Sequence, residues 1–350
     1  MKRDRFLDAL AGASDRKIIL YVTGGAQDSA FTAGMLAAIA AEGWTDKFHR
    51  YIGQSSGSFS LMFFLAGETR EGASGYWRAL TKAFNGKQLV NPWRLFNPFR
   101  SILDLHYLVD EMFDIDPRIP WERVLTHPAN RDGRFLVQVL DSRTGKNLLL
   151  SRFTTPRALR AAIKASSWIP LTAGFRPFCL GQDLLAEMLV TDLQGNEVRL
   201  QELRTYDGGL ADSYFGDIYR VRPEDLHLIL TTVPGDGRTR LTNSFGPRLL
   251  KLERFLSYML FWWWWHALRA YHASMLNGGQ RRDYDELERE TLDEHTNVMG
   301  VFPAENVNVG RYQLSEASMR KAVLAGFDSL YAAFGRIPVE VSWLNDERKA

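Results

Sequence analysis

Gly53-Gln54-Ser55-Ser56-Gly57 sets a serine between two glycines. A short apolar-ended run, Phe48-His49-Arg50-Tyr51-Ile52, precedes it, and the mostly apolar residues 59–66 follow. The order reads strand, sharp turn, helix, with Ser55 on the turn. A serine placed there projects its hydroxyl off the sheet, and flanking glycines let the two backbone arms approach closely. It also stands at a helix N-terminus, where free N–H groups and the helix dipole favour a developing negative charge. That is chemistry for a nucleophile. The same five residues also describe a serine N-cap in a Gly-Ser loop, so the surrounding chain must separate the two.

Two further stretches could serve such a serine. Gly24-Gly25-Ala26-Gln27-Asp28-Ser29 is a loop of mostly small residues after a β-rich run, Lys17-Ile18-Ile19-Leu20-Tyr21-Val22-Thr23. A Gly-Gly loop between strand and helix can cradle phosphate, but no G-x-G-x-x-G and no terminal Gly-Lys-Ser/Thr is present. Its other use is an oxyanion hole, where each backbone N–H contributes about 3–4 kcal/mol to the transition state. A serine some thirty residues later favours that use. The second stretch is Tyr206-Asp207-Gly208-Gly209-Leu210. Asp207 could take the serine proton if the fold brings it within about 2.6–3.2 Å of the hydroxyl. An Asx-type turn between strands is the plainer reading of that pentapeptide.

The elements that must position these residues follow from pattern. Residues 17–23, 48–52, 135–140, 146–150 and 226–233 read as strands, the first as a buried parallel one and the last as a buried one. Helical spacing of Phe31, Met35, Leu36 and Ile39 ends near Gly43, and Pro156 opens a helix that stops before Pro170. The first sixty-odd residues are therefore a βαβα unit. Residues 1–16 are polar and form a peripheral helix or arm. Prolines and aromatics alternate over residues 85–121, which either pack as an irregular cap or form an apolar lip over a site, with a helix near 103–113. Residues 175–206 read as short strands and loops. Residues 280–296 read as a charged, solvated helix, and residues 315–334 as an amphipathic one carrying Met319, Val323, Phe327 and Leu330.

Composition narrows the class. With 45% hydrophobic and 24% charged residues, the 350-residue chain is an ordinary globular one. A net charge of +2 argues against a nucleic-acid partner. One cysteine, Cys179, excludes an internal disulfide framework and a cysteine zinc site, and is expected buried or partly buried. The first residues lack a signal-peptide core, and no run reaches the roughly 18–20 apolar residues of a membrane span. The expected location is cytoplasmic. Residues 255–268 carry four consecutive tryptophans and no charge, so that helix either sinks into the protein or touches a membrane surface peripherally.

Taken in order, Gly24 to Ser29, Gly53 to Gly57 and Asp207-Gly208-Gly209 resemble the patatin-like phospholipases, bacterial-type serine lipid acyl hydrolases. Phe31-Thr32-Ala33-Gly34-Met35-Leu36 and Ala161-Ala162-Ile163-Lys164-Ala165-Ser166-Ser167-Trp168-Ile169-Pro170 match around them. The resemblance covers about residues 17–235. It implies an α/β fold with a mostly parallel central sheet between helical layers, and a helical C-terminal extension over 236–350. It also implies a Ser55–Asp207 dyad, an oxyanion hole from the amides of Gly24, Gly25 and Ala26, a lipid or acyl-ester substrate, and neither metal nor cofactor. Asp28 stands where the family commonly has a basic residue, and Ser29 where it has glycine. Two rivals stay open. One is an α/β-hydrolase triad drawing its histidine from His227, His266, His272 or His295; the other is a lipid-binding protein without catalysis.

Overall fold

The computed structural model describes residues 2–77, 101, 103–111, 119–169, 173–174, 176–210, 212, 214–233, 279–304, 307 and 315–349. The tryptophan-rich stretch 255–268 and most of the 85–121 segment lie outside them. Among the described residues nine strands form one sheet. Strands β1 (Ile18–Val22), β2 (Arg50–Gln54), β3 (Phe135–Asp141), β8 (Leu226–Leu230) and β9 (Val298–Val301) make its parallel part, in the order β9-β8-β1-β2-β3. Strands β4 (Asn147–Ser151), β5 (Phe178–Leu180), β6 (Leu189–Thr191) and β7 (Leu203–Asp207) join antiparallel beyond β3.

Uninterrupted apolar runs make sense in strands covered on both faces. In β1, Ile18, Leu20 and Val22 enter one core and Ile19 and Tyr21 the other. The first face carries α1 (Lys2–Leu10), α2 (Ser29–Ala41), α3 (Ser56–Leu65), α4 (Pro156–Ser166) and, further along the chain, Glu316–Phe334. The second carries the short helix Gly216–Tyr219 and α5 (Gly279–Leu292). The result is a three-layer α/β/α arrangement with a mixed sheet. The helix Glu316–Phe334, α6 here, opens on Ser315, whose hydroxyl accepts the Ser318 N–H, and buries all four of its expected apolar residues.

Four features correct or extend the sequence reading. Helix α5 is not simply solvated, because Tyr284 and Leu287, three residues apart, are buried on the second face. A narrow stripe suffices to seat a helix whose composition is otherwise charged. Cys179 is exposed, since β5 is an edge strand and its inward position falls to Leu180. Strand β9 had no counterpart in the sequence pattern. The N-terminal helix is anchored rather than loose, through fully buried Phe6 and Leu10.

Helices α2 and α6 cross through a reciprocal pair of glycines. A Cβ on Gly34 would run into the Val323 carbonyl oxygen, and one on Gly326 into that of Phe31. Backbones this close leave no side chain to yield. Gly326→Ala is therefore expected to destabilise the protein by about 3 kcal/mol through overpacking. Thermal melting checks this, and a melting temperature within a degree of wild type would refute the tight crossing.

Candidate active site

The site is built where one strand partner replaces another. Along one edge of β3, residues 135–138 pair with β2 and residues 139–141 pair with β7, while β4 occupies the opposite edge over 137–140. A strand has only two edges, so β2 and β7 meet end to end along β3. Gln54 pairs with Gln138, and Asp207 with the next residue, Val139. The chain leaves β2 at Ser55 and leaves β7 after Asp207. The seam thus brings the two candidate residues to one place, both buried (7% and 5% exposed).

Ser55 takes φ 52° and ψ −134° on its turn into α3. That backbone is costly for any residue with a Cβ, on the order of 1–3 kcal/mol. The close packing around it explains the glycines. A Cβ on Gly57 would strike the carbonyls of Val22 and Thr23 at the end of β1. One on Gly24 would overlap the Ser55 Cβ and stand 3.0 Å from its Oγ. The loop after β1 therefore lies directly against the serine.

That loop is held from three sides. Thr232, just past β8, donates its hydroxyl to the Gly24 carbonyl (2.9 Å), and its N–H goes to Thr23 Oγ1 (3.1 Å). The Gly25 N–H donates to Ser56 Oγ (3.1 Å), which shares a 2.6 Å hydrogen bond with Ser29 Oγ. Ser29 thus ties the loop to the residue that follows Ser55 on the turn. Ala26 adopts φ 54°, a second left-handed non-glycine residue at the site. Asp28 is buried, and its N–H closes the turn on the Gly25 carbonyl (3.1 Å). Behind the loop, Tyr76 is bonded to Ser60 Oγ at 2.9 Å, and burial pushes its phenol up to about 12, so it stays protonated.

On the other side of the seam, Asp207 Oδ1 accepts the Gly209 N–H at 2.8 Å, an Asx turn of the expected kind. Gln138 Nε2 donates to the Gly208 carbonyl (3.2 Å), and Gln54 Nε2 to the Asp212 carbonyl (2.6 Å). Asp212 in turn accepts the N–H groups of Gly216 and Asp217, each at 2.8 Å. These supports were not evident in sequence. Gln54 sits inside the G-x-S-x-G motif as a variable letter, and Gln138 in a strand that otherwise reads as plain core.

Among the described residues, the triad candidates His227 and His295 lie away from the seam. His227 is fully buried, with Nε2–H donated to the Arg222 carbonyl (2.7 Å) and Nδ1 therefore accepting the Tyr21 hydroxyl (2.8 Å). It pairs with Ile19 near the start of β1, at the opposite end of the sheet from Ser55. His295 is exposed and precedes β9, at that same far end, while His266 and His272 lie outside the described residues. Burial holds the His227 imidazole below its usual range. Above about pH 6.5 both folded and unfolded chains carry it neutral; below that the unfolded chain takes up a proton the folded one refuses. His227→Gln should therefore flatten the loss of melting temperature between about pH 6.5 and pH 5. An unchanged acid slope would contradict the buried neutral ring.

Among the described residues no group of histidine, cysteine, aspartate or glutamate could hold a metal ion, and no helix is long and apolar enough to cross a membrane. No family model matches the chain, and no curated protein matches it. Among solved structures it is similar to VipD from Legionella pneumophila, at a TM-score of 0.44 and 12% identity, covering 92% of this chain and 67% of that one.

Proposed function

We propose that this chain is a serine acyl-ester hydrolase acting on lipids, with Ser55 as nucleophile and Asp207 as its base. Ser55 Oγ would attack the acyl carbonyl carbon while Asp207 takes the hydroxyl proton. Collapse of the tetrahedral intermediate would expel the alcohol, which recovers that proton from Asp207. Water, activated by the same carboxylate, would then release the acyl group. The oxyanion would rest on the loop amides of Gly24 and Ala26 and on the N–H groups opening α3. Gly25 would join them only when the Ser56 hydroxyl turns away from its amide.

The observation that carries this reading is the strained Ser55 backbone at a strand-to-helix turn, level with Asp207 across the seam. A Ser N-cap in an ordinary loop has no need of a left-handed backbone or of a glycine loop pressed against its Cβ. The sequence resemblance supplies the substrate class. A fluorophosphonate probe followed by peptide mapping tests the reading, together with mass-spectrometric readout of phospholipid, lysophospholipid and acylglycerol panels. An adduct on Ser55 and release of fatty acid are expected. Lipid binding without adduct or release would replace this reading with that of a non-catalytic lipid binder.

A further inference from the structure

Ser166, the last residue of α4, is fully buried. Its Oγ donates to the Gln138 carbonyl at 2.6 Å and accepts the Ser55 N–H at 2.8 Å. Gln138 is the last residue of β3 to pair with β2, so these are the groups that the next rung of the parallel ladder would have joined. The hydroxyl stands in that rung. A hydroxyl has one donor and two acceptor sites, and with its proton committed to a carbonyl it can only accept from Ser55. Two residues on, the Trp168 carbonyl accepts the Asp207 N–H at 3.0 Å. Trp168 is itself fixed, its indole N–H donating to the Arg176 carbonyl at 2.7 Å and its ring lying against Phe178.

From this we infer that the end of α4 is a strut that sets the separation of Ser55 and Asp207, with Ser166 as its positioning residue. The inference rests on those two being the reacting pair. At both ends of the seam this region accepts a backbone N–H, that of Ser55 and that of Asp207. Its effect falls on the direction of the Ser55 hydroxyl. A strained backbone keeps its conformation only where its surroundings over-determine it, and Ser166 supplies the hydrogen bond at that amide. Alanine at 166 would leave the Ser55 N–H and the Gln138 carbonyl buried and without that partner.

Three variants test it: Ser166→Ala, Ser166→Cys, whose thiol fills the space but is a weak donor and acceptor, and Thr155→Ala. Thr155 caps the far end of the same helix, accepting the Ala158 N–H at 3.1 Å, and so reports the cost of loosening α4 without touching the seam. Ser166→Ala is expected to lower kcat and the probe-labelling rate by about 10- to 100-fold, as small misplacements of a reacting group do, with KM within twofold. Ser166→Cys should fall between alanine and wild type, and serves alone if the alanine variant does not fold. Thr155→Ala should lose melting temperature but keep kcat. A Ser166 variant labelled on Ser55 at the wild-type rate overturns the strut alone. So does a Thr155→Ala variant that loses as much kcat. A wild-type adduct mapped anywhere other than Ser55 overturns the dyad and the strut together.

Discussion

Ser55→Ala is expected to lower turnover of an acyl ester by about 10⁴-fold or more, because it removes the proposed nucleophile. The backbone should not suffer. Alanine keeps the Cβ against which Gly24 packs and leaves the Ser166 bond to the residue 55 N–H in place. Ser55→Gly goes further, since it removes the Cβ from a left-handed position and should raise stability by up to about 1 kcal/mol while being just as inactive. A gain in stability with loss of activity is the signature of strain kept for chemistry. Ser56→Ala is the control. It removes the bond to the Gly25 amide and the tie to Ser29, yet leaves the nucleophile, so probe labelling should survive. Labelling that persists without Ser55, or disappears with Ser56 alone, would move the nucleophile elsewhere.

Asp207→Asn should cost about 10²- to 10⁴-fold in kcat, the usual range for loss of a general base. The amide oxygen can still accept the Gly209 N–H, so the Asx turn and the folded state should persist. An isosteric change that is silent in melting temperature but severe in kcat separates proton transfer from architecture. The histidines give the complementary control, because substituting His227 or His295 should leave activity within severalfold of wild type. An Asp207→Asn variant within tenfold of wild type would remove the dyad, and a dead histidine variant would put a triad in its place.

Much of this arrangement was legible in the sequence. The runs before Gly24 and Gly53 are short, apolar at their ends and closed by glycine, and those become β1 and β2 with the loop and the Ser55 turn after them. Pro156 and its neighbours announce α4, and the run ending in Val233 announces β8. What escaped was everything that depends on pairing. That β2 and β7 share one edge of β3 cannot be read from either strand, although it alone brings Asp207 to Ser55. Ser166 was visible as a letter near Trp168, but nothing in its spacing says that its hydroxyl stands in a ladder rung. Strand β9 is only four residues long and follows a charged helix, so its pattern was too brief to register. Cys179 and α5 differ from what their composition implies for one reason: the face a residue presents is decided by the neighbouring layer, which composition does not contain.

The glycine crossing of α2 and α6 joins positions nearly three hundred residues apart in the chain. On a ribosome the Ser55 turn, the loop and α4 are all made long before α6 emerges. Until then the small-residue groove of α2 lies open, a sticky surface on a nascent chain. Contacts this distant in sequence also close slowly, because the loop entropy is lost before the packing is gained. The proposed activity should consequently arrive late in biosynthesis, once residues near 334 have cleared the exit tunnel. For a hydrolase of lipids, that delay would keep an unfinished chain from acting on the membranes around it.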